Sequence, residues 1–416
     1  MEIKSIRADW IADSELNKTV GVWIETDEGS FFGSAPQGTS DGEHEAVSLP
    51  IERAIENLRR IIPEVKNFDP KDLRKLDEFL AHIGGPQMRD FGGNASVALS
   101  SAWAKMAAKA EGLTVYEFLA RELGTEIRLP VPCFNIINGG LHGALDGHGK
   151  PFNPIQEIML VPAAAKSFGE GYEMAMAVYR ELRIVTGETL VGKEGGFSPK
   201  QGLMESIGQV NEAISRAGFS AQDFRLALDC AASEFFDKST GNYYPLAGGE
   251  GKTTEEMISF YRELLTNSPV WILSMEDPFE EDSFEAFARF TSEFPDVISV
   301  GDDLYVTQLE RVREGAKYGS TKAVLVKINQ NGTVSGTLDT IKYGLGKGLF
   351  HMVSHRSRRA PNDLINAYLA LAVGQFIKHG SSRGERVEVY NELLRIEREA
   401  KENGEPIPYA GADLIK

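Results

Sequence analysis

Five short apolar runs in the second half of this 416-residue chain each lead into an ionisable residue, which limits the possible folds more than any other feature. The runs FRLALD, VWILSME, ISVGDD, AVLVK and FHMVSH reach Asp229, Glu276, Asp302, Lys327 and His355. The first interval between these residues is 47 positions, and the next three are 25 to 28 positions. Such intervals are typical of repeated strand-helix units, in which the carboxyl ends of the strands share one rim.

A closed (β/α)8-like barrel explains this arrangement better than an open sheet. In such a barrel the residues at the strand ends form the site, and the apolar residues before them fill the core. An open doubly wound sheet also aligns its strand ends, but no G-x-G-x-x-G turn follows any predicted strand. We therefore predict an α/β fold whose barrel occupies residues 127–416.

The first 126 residues follow a different pattern, in which strands precede helices. Apolar and polar residues alternate from Thr19 to Asp27, and the turn-forming pair Glu28-Gly29 precedes FFGSAP, so a β-hairpin is expected. Three later segments carry apolar residues at helical spacing: EAVSLPIERAIENLRRIIPEV, KDLRKLDEFLAHI and NASVALSSAWAKMAAKAEG. Strands followed by segregated helices predict an α+β capping domain over residues 1–126.

Composition excludes several classes of function. The formal net charge is −17 and no cluster of five or more Lys and Arg residues occurs, which argues against nucleic acid as a partner. The longest apolar stretch, from Ala367 to Ile377, has 11 residues and is too short to span a bilayer. The amino terminus does not resemble a secretory signal, so we expect a cytoplasmic protein without a membrane partner.

Three successive strand ends supply carboxylates, namely Asp229, Glu276 and Asp302. Carboxylate oxygens without sulfur or imidazole ligands favour Mg2+ or Mn2+ over Zn2+. Carboxylates that converge without a cation repel one another, so this arrangement predicts a bound metal ion. Three unrelated solvated or helix-capping acids are the alternative interpretation of the same residues.

Lys327 follows the next apolar run and is expected beside the metal site. Burial and a neighbouring dication both lower the pKa of a lysine, which makes the neutral amine available as a general base. A base beside a metal ion suits proton abstraction next to a carboxylate. A structural ion pair between Lys327 and a carboxylate of the rim is the competing interpretation.

The last run leads into His355, Arg356 and Ser357. The planar guanidinium of an arginine matches a phosphate or carboxylate, and a serine adds a hydroxyl donor. We therefore expect a small anionic and phosphorylated substrate.

Ten segments occur in the order found in one known family, among them SMEDPFEED, GDDLYVT, VKINQNGTVS and VSHRS. On these motifs the chain resembles the enolases over nearly its whole length, as a divergent member. The resemblance implies an enolase-type barrel after an α+β domain and the Mg2+-dependent, reversible dehydration of 2-phospho-D-glycerate to phosphoenolpyruvate in glycolysis and gluconeogenesis. Abstraction of a proton by a lysine beside Mg2+ is the known scheme of this superfamily.

The resemblance also implies roles for individual residues. The implied catalytic residues are the acid Glu194, its partner carboxylate Glu157, the base Lys327 and His142 in a closing loop. The implied substrate-binding residues are Gln156, His355, Arg356, Ser357, Lys378 and Ser40. The implied ligands of a tightly bound Mg2+ are Asp229, Glu276 and Asp302, and Ser40 belongs to a loop that closes over a second Mg2+ bound with substrate.

Several positions depart from the pattern of the family. Lys193 stands before Glu194 where the family has Asp, which could lower the pKa of the acid. The segment HGALDGHGKPFNPIQE, from His142 to Glu157, is longer than usual and offers His148 as a second candidate for the closing histidine.

Three further departures concern the substrate site and the assembly. RRAPND replaces GETED after SHRS, and its arginines either enlarge the anion site or face solvent. Lys378 matches the family lysine only if one residue is deleted downstream. ELNKT lacks the arginine of RGNPT that serves subunit contacts in the family. The resemblance implies a homo-oligomer, either a dimer or an octamer, and this departure leaves that state open.

Two alternatives to the leading function are weighed. A divergent lyase or isomerase of the family would keep Mg2+ and Lys327 but act on another phosphorylated or carboxylate substrate, because loops at the barrel mouth set specificity. A binding protein without catalysis ranks last, because such a chain has little physical reason to keep Lys327, Glu194 and all three carboxylates.

Overall fold

The amino-terminal part of the chain forms a three-stranded antiparallel sheet and four helices. The computed structural model describes residues 1–38, 42–147, 149–245 and 249–415. The sheet has the order β1-β2-β3, and the elements are β1 (Ile3–Ala12), β2 (Lys18–Thr26), β3 (Ser30–Ser34), α1 (Ile51–Val65), α2 (Leu73–Gly84), α3 (Gly93–Ala110) and α4 (Val115–Leu123). The predicted α+β organisation of this part is confirmed.

Small residues allow helix α3 to pack closely against the sheet. Fifteen of its 18 residues are buried, and most of these are Ala, Ser or Gly. A Cβ atom added to Gly33 of β3 would lie 2.2 Å from the carbonyl oxygen of Ala98, so the strand and the helix approach each other where only glycine fits. The Ser100 hydroxyl accepts a 2.9 Å hydrogen bond from the Val334 amide, which joins α3 to the second part of the chain.

Eight strands of the second part close into a barrel, as the spacing of the apolar runs predicts. Their order around the barrel is β4-β5-β6-β9-β10-β11-β12-β13. The strands are β4 (Val131–Asn138), β5 (Glu157–Pro162), β6 (Phe224–Asp229), β9 (Ile272–Glu276), β10 (Ile298–Gly301), β11 (Ala323–Val326), β12 (Phe350–Ser354) and β13 (Phe376–Lys378), and β7 (Phe236–Asp237) pairs with β8 (Asn242–Tyr243) as a small separate hairpin.

Helices follow most of the barrel strands. They are α5 (Phe168–Thr186), α6 (Leu203–Arg216), α7 (Thr254–Asn267), α8 (Phe284–Glu293), α9 (Leu309–Tyr318), α10 (Ile328–Asn331), α11 (Val334–Gly346), α12 (Ile365–Val373), α13 (Val387–Glu402) and α14 (Gly411–Leu414). The apolar stretch from Ala367 to Ile377 is shared between α12 and β13 and is mostly buried. Among the described residues, none of the helices has the length and apolar character needed to cross a membrane.

Strand β5 departs from the parallel arrangement that the sequence predicts. It runs antiparallel to both neighbours, β4 and β6. Its first residue, Glu157, therefore lies at the rim where the parallel strands end, in register with Asp229 at the end of β6. A parallel strand would place this carboxylate at the opposite end of the barrel. The reversal of one strand thus brings a further acid to the mouth.

The barrel interior is filled by side chains. These side chains include the fully buried Val131, Cys133, Val300 and Leu325, which belong to one apolar cluster. Side chains of this kind leave no channel through the barrel, so ligands reach polar groups only at the rim.

Candidate active site

A polar pocket lies at the carboxyl-end rim of the barrel. Its lining consists of Gly38, His142, Gln156, Glu157, Glu194, Asp229, Asp302, Asp303, Lys327, Ser354, His355, Arg356, Ser357 and Lys378. The structure thus gathers nearly all of the site residues expected from the sequence. Of the remaining two, Glu276 adjoins the lining through Lys378, and Ser40 lies outside the described residues.

Asp229 and Glu276 are held side by side by the pairing of β6 with β9. Their Cα atoms are direct partners in the parallel ladder, and both side chains are buried. The Lys378 ammonium donates 2.8 Å hydrogen bonds to Asp229 and to both carboxylate oxygens of Glu276. Burial and the charge of Asp229 raise the pKa of Glu276 well above its usual value. These contacts place Lys378 in the pocket, which supports the alignment that requires one deleted residue.

Asp302 lies one residue after β10 and is shared by two donors. The Lys327 ammonium donates to Oδ2 of Asp302, and the Gln330 amide donates to Oδ1 at 3.1 Å. Burial opposes the charged form of Lys327, but the neighbouring Asp302 outweighs it and raises the pKa of the lysine. The lowering expected from the sequence depended on a dication beside the lysine. Lys327 thus forms the ion pair with a rim carboxylate that the competing interpretation expects.

Glu157 and Glu194 form a buried carboxyl pair with His142. The His142 Nδ1 atom lies 4.0 Å from Glu157 Oε1 and 3.9 Å from Glu194 Oε1. Burial and the charge of Glu194 raise the pKa of Glu157 well above its usual value. Burial has the same tendency at Glu194, but the His355 ring outweighs it and holds the pKa of Glu194 well below its usual value. The two carboxyl groups thus have pKa values shifted in opposite directions, upward at Glu157 and downward at Glu194.

His355, Arg356 and Ser357 are buried at the end of β12, where the sequence places them. The His355 Nε2 atom lies 3.0 Å from Glu194 Oε2, and burial lowers the pKa of His355 to about 4. Arg356 forms a buried ion pair with Glu45 of the amino-terminal part, and its Nη2 donates to Glu45 Oε1 at 3.2 Å. This ion pair therefore joins the barrel to the amino-terminal part of the chain at the pocket.

Gln156 precedes β5 and faces the same carboxylates. Its amide donates a 3.4 Å hydrogen bond to Asp229 Oδ2, and its backbone amide donates to the Asp229 carbonyl oxygen at 2.8 Å. Gln156 thus contacts Asp229, while its neighbour Glu157 lies beside Glu194.

The donor set fits Mg2+. Asp229, Glu276 and Asp302 present only carboxylate oxygens, the ligands that hard cations prefer. Two lysine ammonium groups neutralise these carboxylates, with Lys378 on the first two and Lys327 on the third. A cation supplies the same compensation. Asp302 also belongs to a cluster with Asp277 and Asp303 whose ligand atoms lie within 4.8 Å of one another.

Comparisons with known proteins decide the family. The model described as "Enolase, N-terminal domain" matches residues 3–119, and the model described as "Enolase, C-terminal TIM barrel domain" matches residues 126–416. The chain is 36% identical to an enolase of Methanococcus aeolicus, over 99% of this chain and 98% of that protein. It is 37% identical to enolases of Methanocaldococcus jannaschii and Thermococcus gammatolerans, in each case over 96% of this chain and 95% of the relative.

The chain belongs to the enolase family. Membership confirms the expected fold class, an α+β domain followed by an enolase-type barrel. Enolases depend on Mg2+, and the acidic clusters of the site have the chemistry to bind it.

The departures from the enolase pattern have different structural outcomes. Lys193 is exposed, and burial, with a smaller contribution from the charge of Lys193, lowers the pKa of His142. In the longer segment, Leu145 and Pro151 pair through an isolated antiparallel bridge. His142 lines the enolase pocket, whereas His148 lies outside the described residues.

The two arginines of RRAPND neither enlarge the anion site as a pair nor face solvent together. Arg358 is half-buried, and its Nε donates to the Gly38 carbonyl oxygen at 3.0 Å. Arg359 is buried behind His355 and bonds to His379. A solvent-facing Arg359 is wrong, because its guanidinium is buried and finds internal acceptors.

Sequence reasoning assigned no role to several residues that the structure brings to the site. Glu45 and Gln330 lie inside the motifs SDGEHEA and KINQ, so their place in these motifs is a signal that was available. Asp277 accepts backbone hydrogen bonds from Asp302 and Asp303, at 2.9 and 2.7 Å, and so orients the turn after β10. His379 carried no sequence signal, because its partner is 20 residues away in a divergent loop.

Proposed function

We propose that this enolase catalyses the Mg2+-dependent, reversible dehydration of 2-phospho-D-glycerate to phosphoenolpyruvate, as a lyase of glycolysis and gluconeogenesis. The observation that carries the proposal is one pocket that holds a lysine, two adjacent buried carboxyl groups, and an arginine. These groups are Lys327, Glu157 with Glu194, and Arg356. A base, an acid and an anion-binding group in one pocket match a reaction that removes a proton and a hydroxyl group from a phosphorylated acid.

Lys327 is the base in this proposal. It takes the proton from C2 of the substrate, and it must be neutral to do so. Its ion pair with Asp302 favours the charged form, and a cation bound by Asp302 would favour the neutral amine. Asp229, Glu276 and Asp302 would hold one tightly bound Mg2+, which supplies positive charge against the substrate carboxylate as negative charge develops there.

Glu194 is the acid in this proposal. It assists departure of the C3 hydroxyl group with the proton that the carboxyl pair retains, and Glu157 is the partner that stores this proton. His142, within 4.0 Å of both carboxylates, closes the side of the pocket above the pair. A buried pair keeps a proton at neutral pH because two adjacent carboxylates resist simultaneous ionisation.

The substrate-binding residues keep the roles implied by the resemblance. Arg356 and Ser357 bind the phosphate, and His355, Gln156 and Lys378 line the remainder of the substrate. Ser40 contributes to a second Mg2+ that arrives with substrate. These assignments are predictions that rest on the pocket lining for the described residues and on the family motif for Ser40.

The organisation of the whole protein is predicted in the same way. We place the domain boundary between residues 126 and 127, and we expect a cytoplasmic homo-oligomer without nucleic acid or membrane partners. ELNKT lacks the arginine of RGNPT that serves subunit contacts in the family, so a dimer and an octamer both remain open.

Phosphoenolpyruvate formation, followed by ultraviolet absorbance, tests the function. We expect turnover of 2-phosphoglycerate with Mg2+, loss of turnover with excess EDTA, and recovery when Mg2+ is restored. Lys327→Ala is expected to lower kcat by at least about a thousandfold, because the base is absent. Lys322→Ala is the matched control, since Lys322 stands at the other end of β11 and donates to the Val297 carbonyl oxygen.

Two outcomes would count against the proposal. A folded protein that binds Mg2+ but forms no product would refute the substrate and favour a divergent lyase of the family. Equal loss of kcat in Lys327→Ala and Lys322→Ala would show that the lysine at the rim has no special role.

A further inference from the structure

A buried arginine in the segment RRAPND, which replaces GETED of the family, is connected to the proposed acid Glu194 through two histidine rings. Arg359 is 4% exposed. Its guanidinium donates to His379 Nε2 at 2.8 Å and to the carbonyl oxygens of Asp363 and Glu385 at 3.0 and 3.1 Å. It also forms a 2.7 Å ion pair with Glu388 of α13. Four separate acceptors therefore hold one guanidinium in place.

The contact with Arg359 determines the protonation state of His379. A guanidinium has five donors and no acceptor, so the Nε2 atom of His379 must carry a lone pair. The single ring proton is therefore on Nδ1, and the ring is neutral. Burial and the charge of Arg359 act in the same direction and hold the pKa of His379 well below its usual value. The other groups that face this ring are Arg386, His355 and Glu194.

The fixed ring of His379 packs against His355. The two ring centroids are 4.9 Å apart at an interplanar angle of 43°, and Tyr390 contacts His379 edge-on at 5.9 Å. Among the described residues, the His355 ring has one hydrogen-bond contact, between Nε2 and Glu194, and its Nδ1 atom has no partner. Packing against His379 therefore restricts the remaining freedom of the His355 ring.

We propose that Arg359 and His379 are positioning residues, in which the guanidinium locks the His379 ring and the ring holds His355 against the acid Glu194. The proposal rests on the function proposed above, because the role of Glu194 as the acid belongs to it. An arginine and a histidine at these positions form a matched pair, since the arginine supplies the donor and the histidine the acceptor.

A purely structural role for Arg359, as a tether between a loop and a helix, is distinguishable from the positioning role. Through Glu388, the same guanidinium tethers the loop that contains Asn362 to helix α13. A tether stabilises the loop and leaves the chemical step unchanged. A positioning role affects the step in which Glu194 acts, so it lowers kcat and leaves KM nearly unchanged.

The kinetics of four variants of the full chain test the positioning role of Arg359 and His379. Arg359→Met and His379→Ala are each expected to lower kcat by about tenfold to a hundredfold, as misplacement of a catalytic group does, with KM changed by less than about twofold. The double variant should lose no more than His379→Ala alone, because both changes break one chain of contacts. Glu388→Gln is the control that loosens the tether and leaves His379 in place, and its kcat should match the wild type.

The acid limb of the kcat profile gives a second readout. In Arg359→Met the ring of His379 loses the donor that keeps it neutral, so a new ionisation is expected as the pH falls, with a further loss of kcat. The wild type should lack it. Equal losses of kcat in Glu388→Gln and Arg359→Met, or additive losses in the double variant, would overturn the proposal.

A measurement on the wild-type protein keeps the proposal testable if a variant fails to fold. Nitrogen NMR of the seven histidines, with His379 assigned by His379→Gln, should show a neutral ring protonated on Nδ1 between about pH 5.5 and 8.5. Protonation on Nε2 would refute the lock. This measurement needs no turnover, so failure of the proposed function is distinguished from failure of the Arg359 contact.

Discussion

Replacement of Asp77 by Asn is expected to stabilise the protein at neutral pH. Asp77 lies on α2, is fully buried, and accepts a 2.8 Å hydrogen bond from the Ser335 amide at the start of α11. Its other oxygen has no hydrogen-bond partner among the described residues. Burial raises the pKa of Asp77 from 3.8 to about 6. The ionised form is thus poorly compensated where the two parts of the chain meet.

The sign of the pH dependence follows from this raised pKa. The folded protein binds more protons than the unfolded chain between about pH 4 and 6, so the free energy of unfolding falls as the pH rises through this window. Above it, the ionised Asp77 costs about 3 kcal/mol. An asparagine keeps the acceptor for Ser335 and avoids this cost, although its buried amide costs about 1 kcal/mol. The net expectation at pH 7.5 is a gain of about 2 kcal/mol.

Urea unfolding at pH 4 and pH 7.5 measures this effect. The stability difference between Asp77→Asn and the wild type should grow by about 2 kcal/mol from the lower to the higher pH. Asp69→Asn is the matched control, because Asp69 is exposed and an asparagine also accepts the hydrogen bond from the Lys71 amide. Its effect should stay within about 0.5 kcal/mol at both values. A pH-independent difference for Asp77→Asn would refute the reasoning.

Two other substitutions test buried charges. Burial lowers the pKa of His351 to about 4, so the stability contributed by the neutral ring is complete above pH 6.5 and is lost as the pH falls, by up to about 3 kcal/mol. His351→Met should remove this pH dependence from the free energy of unfolding, measured with urea at pH 4.5 and 7.5. The same change in unfolding free energy between the two pH values in the variant and the wild type would contradict the expectation. Glu45→Gln leaves the buried Arg356 charge undercompensated and should destabilise the protein by about 3 to 5 kcal/mol. The same variant should raise KM. As a control, Glu43→Gln changes an exposed residue and should match the wild type in thermal unfolding and kinetics.

Strand ends show how far the sequence alone carries. Asp229, Lys327 and His355 stand within one residue of the carboxyl ends of their strands, as the apolar runs predict. This succeeds because the hydrophobic effect acts on local patterns, and a buried parallel strand ends where polar residues begin. The barrel, the shared rim and the acidic character of the site were therefore determined by the order of the residues.

Only the tertiary structure decided the geometry within that rim. Glu157 reaches Glu194 because β5 runs antiparallel, and no local pattern distinguishes an antiparallel strand from a parallel one inside a barrel. Arg359 turns inward to His379 because acceptors from two distant segments meet there. Strand direction and the partners of buried charges depend on contacts between residues far apart in the chain, and such contacts form only once the chain has folded.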